Sequence, residues 1–320
     1  MGSLVSLLAG AGLLALTPQF ALENTNIAGF DADSRFSDLN RLRADITLSH
    51  AEHAAFAARL QIDNKTLFVE QPHDFTNDTS IYRGFLEYRG ASHFWTLGRQ
   101  RIPLGVGRVW NPIDIFNPVD SQSTEPEERA GTEALRYEYA MSRLANLDLT
   151  VSRDKGEGRI KGYLDVADVA LVGLYDNEAK LDIIGWELEG ELFDTGIELR
   201  SEGGSFHDRD ADSRRTAFIV GAEYGFANSL ILLTEYLYDD ETRRDNMAVS
   251  VSFQPRILWT VTCLAVQDLD DHSFFISPAV EYSAGDEMTI SAGAFLYQGS
   301  GTDAYGGFPD RVYVRWFVHF

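Results

Sequence analysis

Short runs in which apolar and polar residues alternate fill most of this chain, and a few turn-forming residues separate each run from the next. The final run is the clearest, because Val312, Val314 and Trp316 alternate with Arg311 and Arg315. A period of two residues is typical of a β-strand with one apolar and one polar face. The pattern therefore predicts an all-β protein built from amphipathic strands.

About 18 runs of this kind can be recognised, and most are roughly 8 to 12 residues long, the length at which a tilted strand crosses a membrane. Their even spacing, without a linker or a break in composition, favours one large β-structure over two soluble domains. The runs cover residues 19–29, 39–49, 54–64, 80–89, 92–100, 132–141, 145–153, 158–166, 168–176, 179–190, 194–203, 214–225, 228–239, 246–254, 257–267, 272–282, 286–297 and 310–320. We therefore expect a transmembrane antiparallel up-and-down β-barrel of about 18 strands, with 16 strands as the alternative.

The segments between the runs are short after even-numbered strands. The longer ones follow odd-numbered strands and include residues 65–79, 101–131, 204–213, 240–245 and 298–309. Bacterial barrels have short periplasmic turns and longer external loops, so this pattern predicts that both termini lie in the periplasm. A soluble β-sandwich would show the same alternation of residues, but the number of strands and the regular change in connection length favour the barrel.

The start of the chain differs from the rest. Leu4 to Leu16 form a nearly uncharged apolar segment, which is long enough for the core of a signal peptide and too short for a membrane-spanning helix. No positive charge precedes it. The predicted organisation is a candidate signal peptide or its remnant in residues 1–18, followed by a single outer-membrane barrel domain in residues 19–320.

Composition excludes several functions. With 49 acidic and 27 basic residues the chain has a formal charge of −22, which argues against nucleic acid as a partner. The single cysteine, Cys263, cannot form an internal disulfide or a thiol metal cluster. His50 and His53 do not have the spacing of a helical zinc motif, and the acidic run at 208–212 lacks the glycine and glutamate of a calcium loop. We therefore expect no metal and no cofactor.

One long segment does not alternate, and it covers residues 101–131. It has three prolines and several large apolar residues, which give it too many strand breakers for a strand and too much apolar surface for a solvated linker. We predict a third external loop that folds inward and constricts the barrel. The residues predicted to form the constriction are Trp110, Asp114, Phe116, Asp120, Glu125, Glu127 and Glu128.

Two stretches give a resemblance to known proteins. The C-terminal VYVRWFVHF, which ends in the aromatic Phe320, resembles the assembly signal of bacterial outer-membrane barrels. The segment GRQRIPLGVGRVWNPIDIFNP resembles porins, in which a Gly-Arg-(Asn/Gln) step such as Gly98 to Gln100 ends the fifth strand and the third loop enters the lumen. The resemblance implies a porin-like protein of the Gram-negative outer membrane. It also implies contact with membrane lipid and lipopolysaccharide, insertion by the barrel assembly machinery through Phe320, and compatibility with a homo-oligomer.

The polar strand faces would then line the lumen. We expect unpaired arginines on this lining to face acidic residues on the loop and so to create a field across the pore. Arg99 is counted among the lining residues, although strict alternation from Trp95 and Leu97 would turn it outward unless the strand ends or bulges there. The predicted pore-lining residues are Arg41, Arg43, Arg59, Arg83, Arg99, Arg136, Arg311, Arg315, Glu187, Glu189 and Glu235.

The function favoured by the sequence is passive or weakly selective diffusion of small hydrophilic solutes or ions, because a barrel of about 18 strands is wide enough for an aqueous lumen. A dedicated channel for transport or export of an acidic or sugar-like solute is the alternative. Two other classes are less favoured: a plugged structural barrel, and an outer-membrane hydrolase using residues such as His207, Asp208, Asp271 and His272. No acid and base at a fixed catalytic spacing supports an enzyme.

Overall fold

Every strand pairs antiparallel with the strands that precede and follow it in the sequence, and the last strand also pairs with the first. The computed structural model describes residues 16–50, 55–70, 73–241 and 244–320. Its strands are Leu16–Asp31 (β1), Phe36–His50 (β2), Phe56–Val69 (β3), Asp74–Arg89 (β4), His93–Gln100 (β5), Thr132–Ala140 (β6), Ala145–Ser152 (β7), Lys155–Tyr163 (β8), Ala167–Asp176 (β9), Leu181–Glu191 (β10), Ile197–Asp208 (β11), Ser213–Gly225 (β12), Leu230–Asp239 (β13), Arg244–Arg256 (β14), Trp259–Asp268 (β15), Phe274–Gly285 (β16), Met288–Gln298 (β17) and Arg311–His319 (β18).

Pairing between β1 and β18 closes the sheet. The register runs from Glu23 opposite His319 to Asp31 opposite Arg311. A closed sheet has no free edge and satisfies its backbone hydrogen bonds internally, which is the condition for crossing a lipid bilayer with strands. Among the described residues, no helix is long and apolar enough to cross a membrane.

The two faces of the wall differ in chemistry as the alternation predicts. Ile184 and Phe20 are 78% and 71% exposed on the outer face, whereas Asp63, Glu202 and Glu235 are fully buried on the inner face. An apolar surface that continues around the whole wall is stable in contact with lipid. Aromatic pairs lie near the ends of the strands on this surface, among them Phe56 with Tyr88, Trp95 with Tyr137, and Trp259 with Tyr282.

The structure confirms the all-β antiparallel barrel and the number of 18 strands. The two longest connections, residues 101–131 and 299–310, both follow odd-numbered strands. We call the end of the barrel that carries these two connections the loop end. Three other connections predicted to be long are short, at 70–73, 209–212 and 240–243, because the flanking strands extend beyond the predicted runs.

The longest of these extensions joins β3 and β4. Polar side chains link the two strands over part of it, since Asn64 donates to Thr79 at 2.8 Å and Asn77 donates to Thr66 at 2.7 Å. The candidate signal peptide lies almost entirely outside the described residues, as does His53, and β1 begins at Leu16, within the predicted 1–18 segment.

Candidate functional site

Residues 101–131 connect β5 to β6 without forming a helix or a strand of their own. The first part of this loop buries apolar side chains against the inner face of β9 to β12. Ile113 is fully buried, and Ile102 and Leu104 are nearly so. Their cluster also contains Phe116, Ala134, Ala170, Val172, Leu174, Ile183, Phe206 and Ala217. Burial of these side chains stabilises the seat of the loop through the hydrophobic effect.

Three carboxylates of the wall bind the backbone of the next part of the loop. Glu187 accepts a hydrogen bond from the N–H of Gly105 at 2.8 Å. Glu202 accepts from the N–H groups of Val106 and Gly107, the latter at 2.8 Å. Glu235 accepts from three consecutive N–H groups, those of residues 108, 109 and 110, at 2.9, 3.1 and 2.8 Å. Three buried carboxyl groups thus bind six consecutive backbone N–H groups, and this series fixes the backbone path.

Gly105 is required by this arrangement. Its φ is +84°, a conformation that residues with a side chain rarely adopt. A Cβ atom at this position would lie 2.6 Å from Oε2 of Glu202 and 2.8 Å from Nδ2 of Asn111. The absence of a side chain thus lets the backbone approach the buried carboxylate.

Cations on β8 hold the same part of the loop by its carbonyl groups. Lys155 Nζ donates to the carbonyl of Ile115 at 2.6 Å, and Arg159 Nη1 donates to that of Pro103 at 2.7 Å. Further along the loop, Val109 is buried in a second apolar cluster with residues of β13 to β17, and the half-buried Trp110 packs against it. The loop backbone is therefore held by charged side chains and by apolar contacts together.

The second part of the loop is attached to β2 by ion pairs. Both oxygens of Glu125 accept from Arg41, at 2.8 and 3.0 Å, and both oxygens of Glu128 accept from Arg43, at 3.0 and 2.9 Å. Arg43 also binds Asp63 at 2.7 Å. The expectation of unpaired arginines on this part of the wall is therefore wrong, since the loop itself supplies their partners.

Ionisation of the loop carboxylates follows their surroundings. Burial raises the pKa of Asp114 to about 6, although its carboxylate accepts hydrogen bonds from the N–H groups of Asn117 and Phe116 and lies 3.5 Å from Arg129. Burial acts in the same direction on Glu128, but the hydrogen bond from Arg43 and the charge of Arg41 outweigh it and lower the pKa of Glu128 to about 2. Glu128 is therefore charged at any physiological pH, whereas Asp114 titrates in a mildly acidic range.

The remaining residues predicted to line the pore are mostly engaged as well. Arg59 pairs with Asp45, Arg136 with Glu138, and Arg315 lies 3.4 Å from Glu281 and 3.6 Å from Glu125. Arg83 donates to the carbonyl of Arg129, Arg311 donates to the carbonyl of Gln122, and Glu189 lies 3.3 Å from Arg108. Of the predicted loop residues, Asp120 and Glu127 are exposed.

Arg99 does not line the pore, which corrects the prediction. It follows Leu97 in the alternation and pairs with Glu133, whose side chain is 78% exposed on the outer face. Its Nη1 donates to the carbonyl of Ile81 at 2.8 Å. The strand neither ends nor bulges before Arg99, so the strict alternation holds and Gln100 is the residue that points inward.

Three residues at the loop were not among the predicted site residues. Glu202 binds the loop backbone, and Arg101 and Arg108 are exposed on the loop. In the sequence Glu202 occupies an inward position like several other acidic residues. Its contact with the loop backbone is visible only in the structure, where its side chain is fully buried. The proposed hydrolytic residues are not brought together, because His207 and Asp208 end β11 whereas Asp271 and His272 follow β15, four strands further along the wall.

A closed antiparallel barrel with an apolar outer face and a long loop bound to its inner face defines the class of membrane-spanning β-barrels. No protein-family model matches the sequence, and no curated protein matches it. The solved structures show the particular fold, which is that of bacterial outer-membrane porins. OccK5 (OpdH) of Pseudomonas aeruginosa superposes with a TM-score of 0.66 at 10% identity, over 95% of this chain and 97% of that one. OccD3 (OpdP) of the same organism gives 0.62 at 10% identity over 95% and 91%, and a mutant of the Rhodopseudomonas blastica porin gives 0.57 at 9% identity over 95% and 100%.

Proposed function

We propose that this protein is a porin-like channel of the Gram-negative outer membrane, which passes small hydrophilic solutes or ions passively or with weak selectivity. In this proposal residues 101–131 lie within the lumen and set its bore. The loop end faces the outside of the cell, and both termini lie in the periplasm. Phe320, exposed after β18, is the contact for the barrel assembly machinery.

The observation that carries the proposal is the spread of the attachments of the loop around the wall. Glu125 binds Arg41 on β2, while the N–H of Gly107 binds Glu202 on β11. In a closed sheet of 18 strands, β2 and β11 are nine strands apart and therefore on opposite sides. A segment bound to both sides supports a constriction across an aqueous lumen, since a barrel of this size is not filled by its own wall side chains.

A dedicated channel for an acidic or sugar-like solute is the second candidate. The observation in its favour is a group of arginines beside the loop. Arg101 lies close enough to Arg83 and Arg129 to repel both electrostatically, and the nearby Asp114 is a buried carboxylate. An excess of positive charge at a constriction favours anions. A strong preference for one solute in flux measurements would distinguish this candidate from general diffusion.

Single-channel recording in planar bilayers tests the proposal. Replacing residues 107–124 by a short Gly/Ser bridge removes most of the loop, including the N–H groups that bind Glu235, and keeps Glu125 and Glu128 for the ion pairs with β2. We expect a higher conductance, because the loop occupies area in the lumen. The change in electrophoretic migration of the protein on heating should stay the same, because strand pairing alone closes the wall.

A matched control shortens the other long connection at the loop end by removing residues 301–303, and its conductance should remain near the parent value. Unchanged conductance after removal of residues 107–124 would show that the loop does not set the bore. No conductance in the parent protein and in the loop variant would instead identify a plugged barrel.

A further inference from the structure

Strand β4 contains one residue more than its pairing with β3 requires. Gln61 of β3 pairs with Arg83. The next residue of β3, Ile62, pairs with Ile81 rather than with Tyr82, so Tyr82 is the extra residue of a β-bulge. The bulge interrupts the alternation of β4. Tyr82 and Arg83 therefore both point into the barrel, while Ile81 is exposed on the outer face.

The wall closes equally well without this extra residue. β4 pairs with β5 only from Gly84 onward, and among the described strands β3 is the only paired neighbour of β4 at the bulge. Without Tyr82, Ile81 and Arg83 would follow one another on opposite faces and would keep their present partners on β3. The role of the extra residue therefore lies in what its side chain contacts in the lumen.

The ring of Tyr82 contacts two arginines. The guanidinium carbon of Arg43 on β2 lies 3.8 Å from the ring centre, and that of Arg83 lies 4.5 Å from it. An aromatic face attracts a guanidinium group, and the attraction is stronger where both are shielded from water. Arg43 and Arg83 are 4% and 9% exposed. The ring of Tyr82 thus stabilises two buried cations that repel each other.

Both arginines bind the end of the loop, at adjacent residues. Arg43 donates to the two oxygens of Glu128 at 3.0 and 2.9 Å, and Arg83 donates through Nη2 to the carbonyl of the residue that follows, at 2.7 Å. The hydroxyl of Tyr82 also interacts with Glu128. Gly131 allows the loop to approach this closely, because a Cβ atom there would lie 2.8 Å from the carbonyl oxygen of Tyr82 and 2.7 Å from Nη1 of Arg83.

We propose that Tyr82 is the positioning residue for the return of the loop to the wall. The bulge places its ring in the lumen, and the ring holds Arg43 and Arg83 in the directions that bind residues 128 and 129. The consequence of this role for the bore rests on the function proposed above. A bulge that served only to shape the wall would leave the loop indifferent to the chemistry of the side chain at position 82.

A nitroxide spin label on Glu127→Cys in a Cys263→Ser background tests this role independently of conductance, because Glu127 is exposed beside the bound part of the loop. In Tyr82→Leu, which lacks the ring, the mobile fraction of the label should rise about fivefold, the factor that corresponds to about 1 kcal/mol. Deletion of Tyr82 should mobilise the label in the same way, while the change in electrophoretic migration on heating is retained because β3 and β4 stay paired. Tyr82→Phe keeps the ring and should give a spectrum close to that of the labelled parent.

Tyr88→Leu is the matched control, because Tyr88 lies on the same strand with its ring against Phe56 on the outer face. Its spectrum should match that of the labelled parent. An unchanged spectrum in Tyr82→Leu, or an equal gain in mobility in Tyr82→Phe, would overturn the proposal, because the ring would then not position the loop. If Tyr82→Leu mobilises the label but leaves single-channel conductance unchanged, Tyr82 positions the loop and the proposed control of the bore by the loop fails.

Discussion

At the scale of single residues, Gly105 decides whether the loop can reach the wall. We expect Gly105→Ala to break the hydrogen bonds between Glu202 and the loop backbone, because the new Cβ would overlap the carboxylate and the positive φ would be strained. The loop should then become mobile, and single-channel traces should show more current noise and a higher mean conductance. Gly301→Ala is the control, because a Cβ there meets nothing within 4 Å. Current noise in Gly105→Ala no higher than in the wild type would contradict the role of this glycine.

Asp114 gives the loop a predictable dependence on pH. The folded protein holds the proton of Asp114 up to about pH 6, whereas the unfolded chain releases it near 3.8, so the stability contributed by this site falls as the pH rises between these values. From pH 4.5 to 7.5 the free energy of unfolding should fall by about 2 kcal/mol relative to that of Asp114→Asn. Denaturant titration of both proteins at the two pH values measures this difference. A constant difference would show that Asp114 ionises normally.

The sequence predicts these residue positions better than their roles. Alternation places Arg41, Arg43, Glu187 and Glu235 correctly on the inner face, and burial on that face is what the structure shows. Their partners could not be predicted, because each is bound by a loop residue or a loop backbone group that lies far away in the sequence. Arg99 was misassigned because an inward position required β5 to end or bulge before it, whereas the strand continues to Gln100.

At the scale of the element, the ion pairs between the loop and β2 determine how the second part of the loop is held. In the double variant Glu125→Gln, Glu128→Gln, Arg41 loses its main partner, whereas Arg43 keeps Asp63 and the more distant Glu23. Removing one partner of a buried pair costs about 3 to 5 kcal/mol, so this part of the loop should detach. The uncompensated guanidinium groups should also shift the reversal potential toward anion selectivity.

Reversal potentials in a salt gradient measure the shift, together with the noise of the open channel. Glu127→Gln is the control because it removes one exposed acidic charge from the same loop. Because the double variant removes two charges and the control removes one, a shift in the double variant that is only twice that of Glu127→Gln, without added noise, would mean that total charge causes the effect and that the ion pairs with β2 do not hold the loop.

Most strands were predictable because one of their faces is apolar. The loop-end part of β4 was not, because polar side chains such as Asn77 and Asp78 lie on both of its faces and cross-strand hydrogen bonds take the place of apolar contacts. The same limit made the connections at 209–212 and 240–243 look longer than they are. The alternation of apolar and polar residues reflects the apolar environment of one strand face, so the alternation is lost where a strand extends beyond the membrane.

At the scale of the whole molecule, orientation in the membrane can be tested with single cysteines in a Cys263→Ser background. Asp210, Asp240 and Asp303 lie in connections at the loop end, whereas Ala91 and Ala227 lie in turns at the opposite end. A membrane-impermeant thiol reagent should label intact cells at the three aspartate positions and should not label them at the two alanine positions. Labelling of the alanine positions alone would mean that the loop end faces the periplasm.

The binding of the loop by distant strands also sets an order of events during folding. The loop leaves the wall after β5, but the carboxylates that bind its backbone follow 82 to 127 residues later, on β10, β11 and β13. If the strands are added in chain order, the backbone of residues 105–110 lacks its full set of wall carboxylates until thirteen strands are in place, although the second part of the loop can already pair with β2. Arg101 and Arg108 would stay accessible to a trypsin-like protease throughout that interval, and protection at these two sites would mark the moment at which the assembling wall reaches β13.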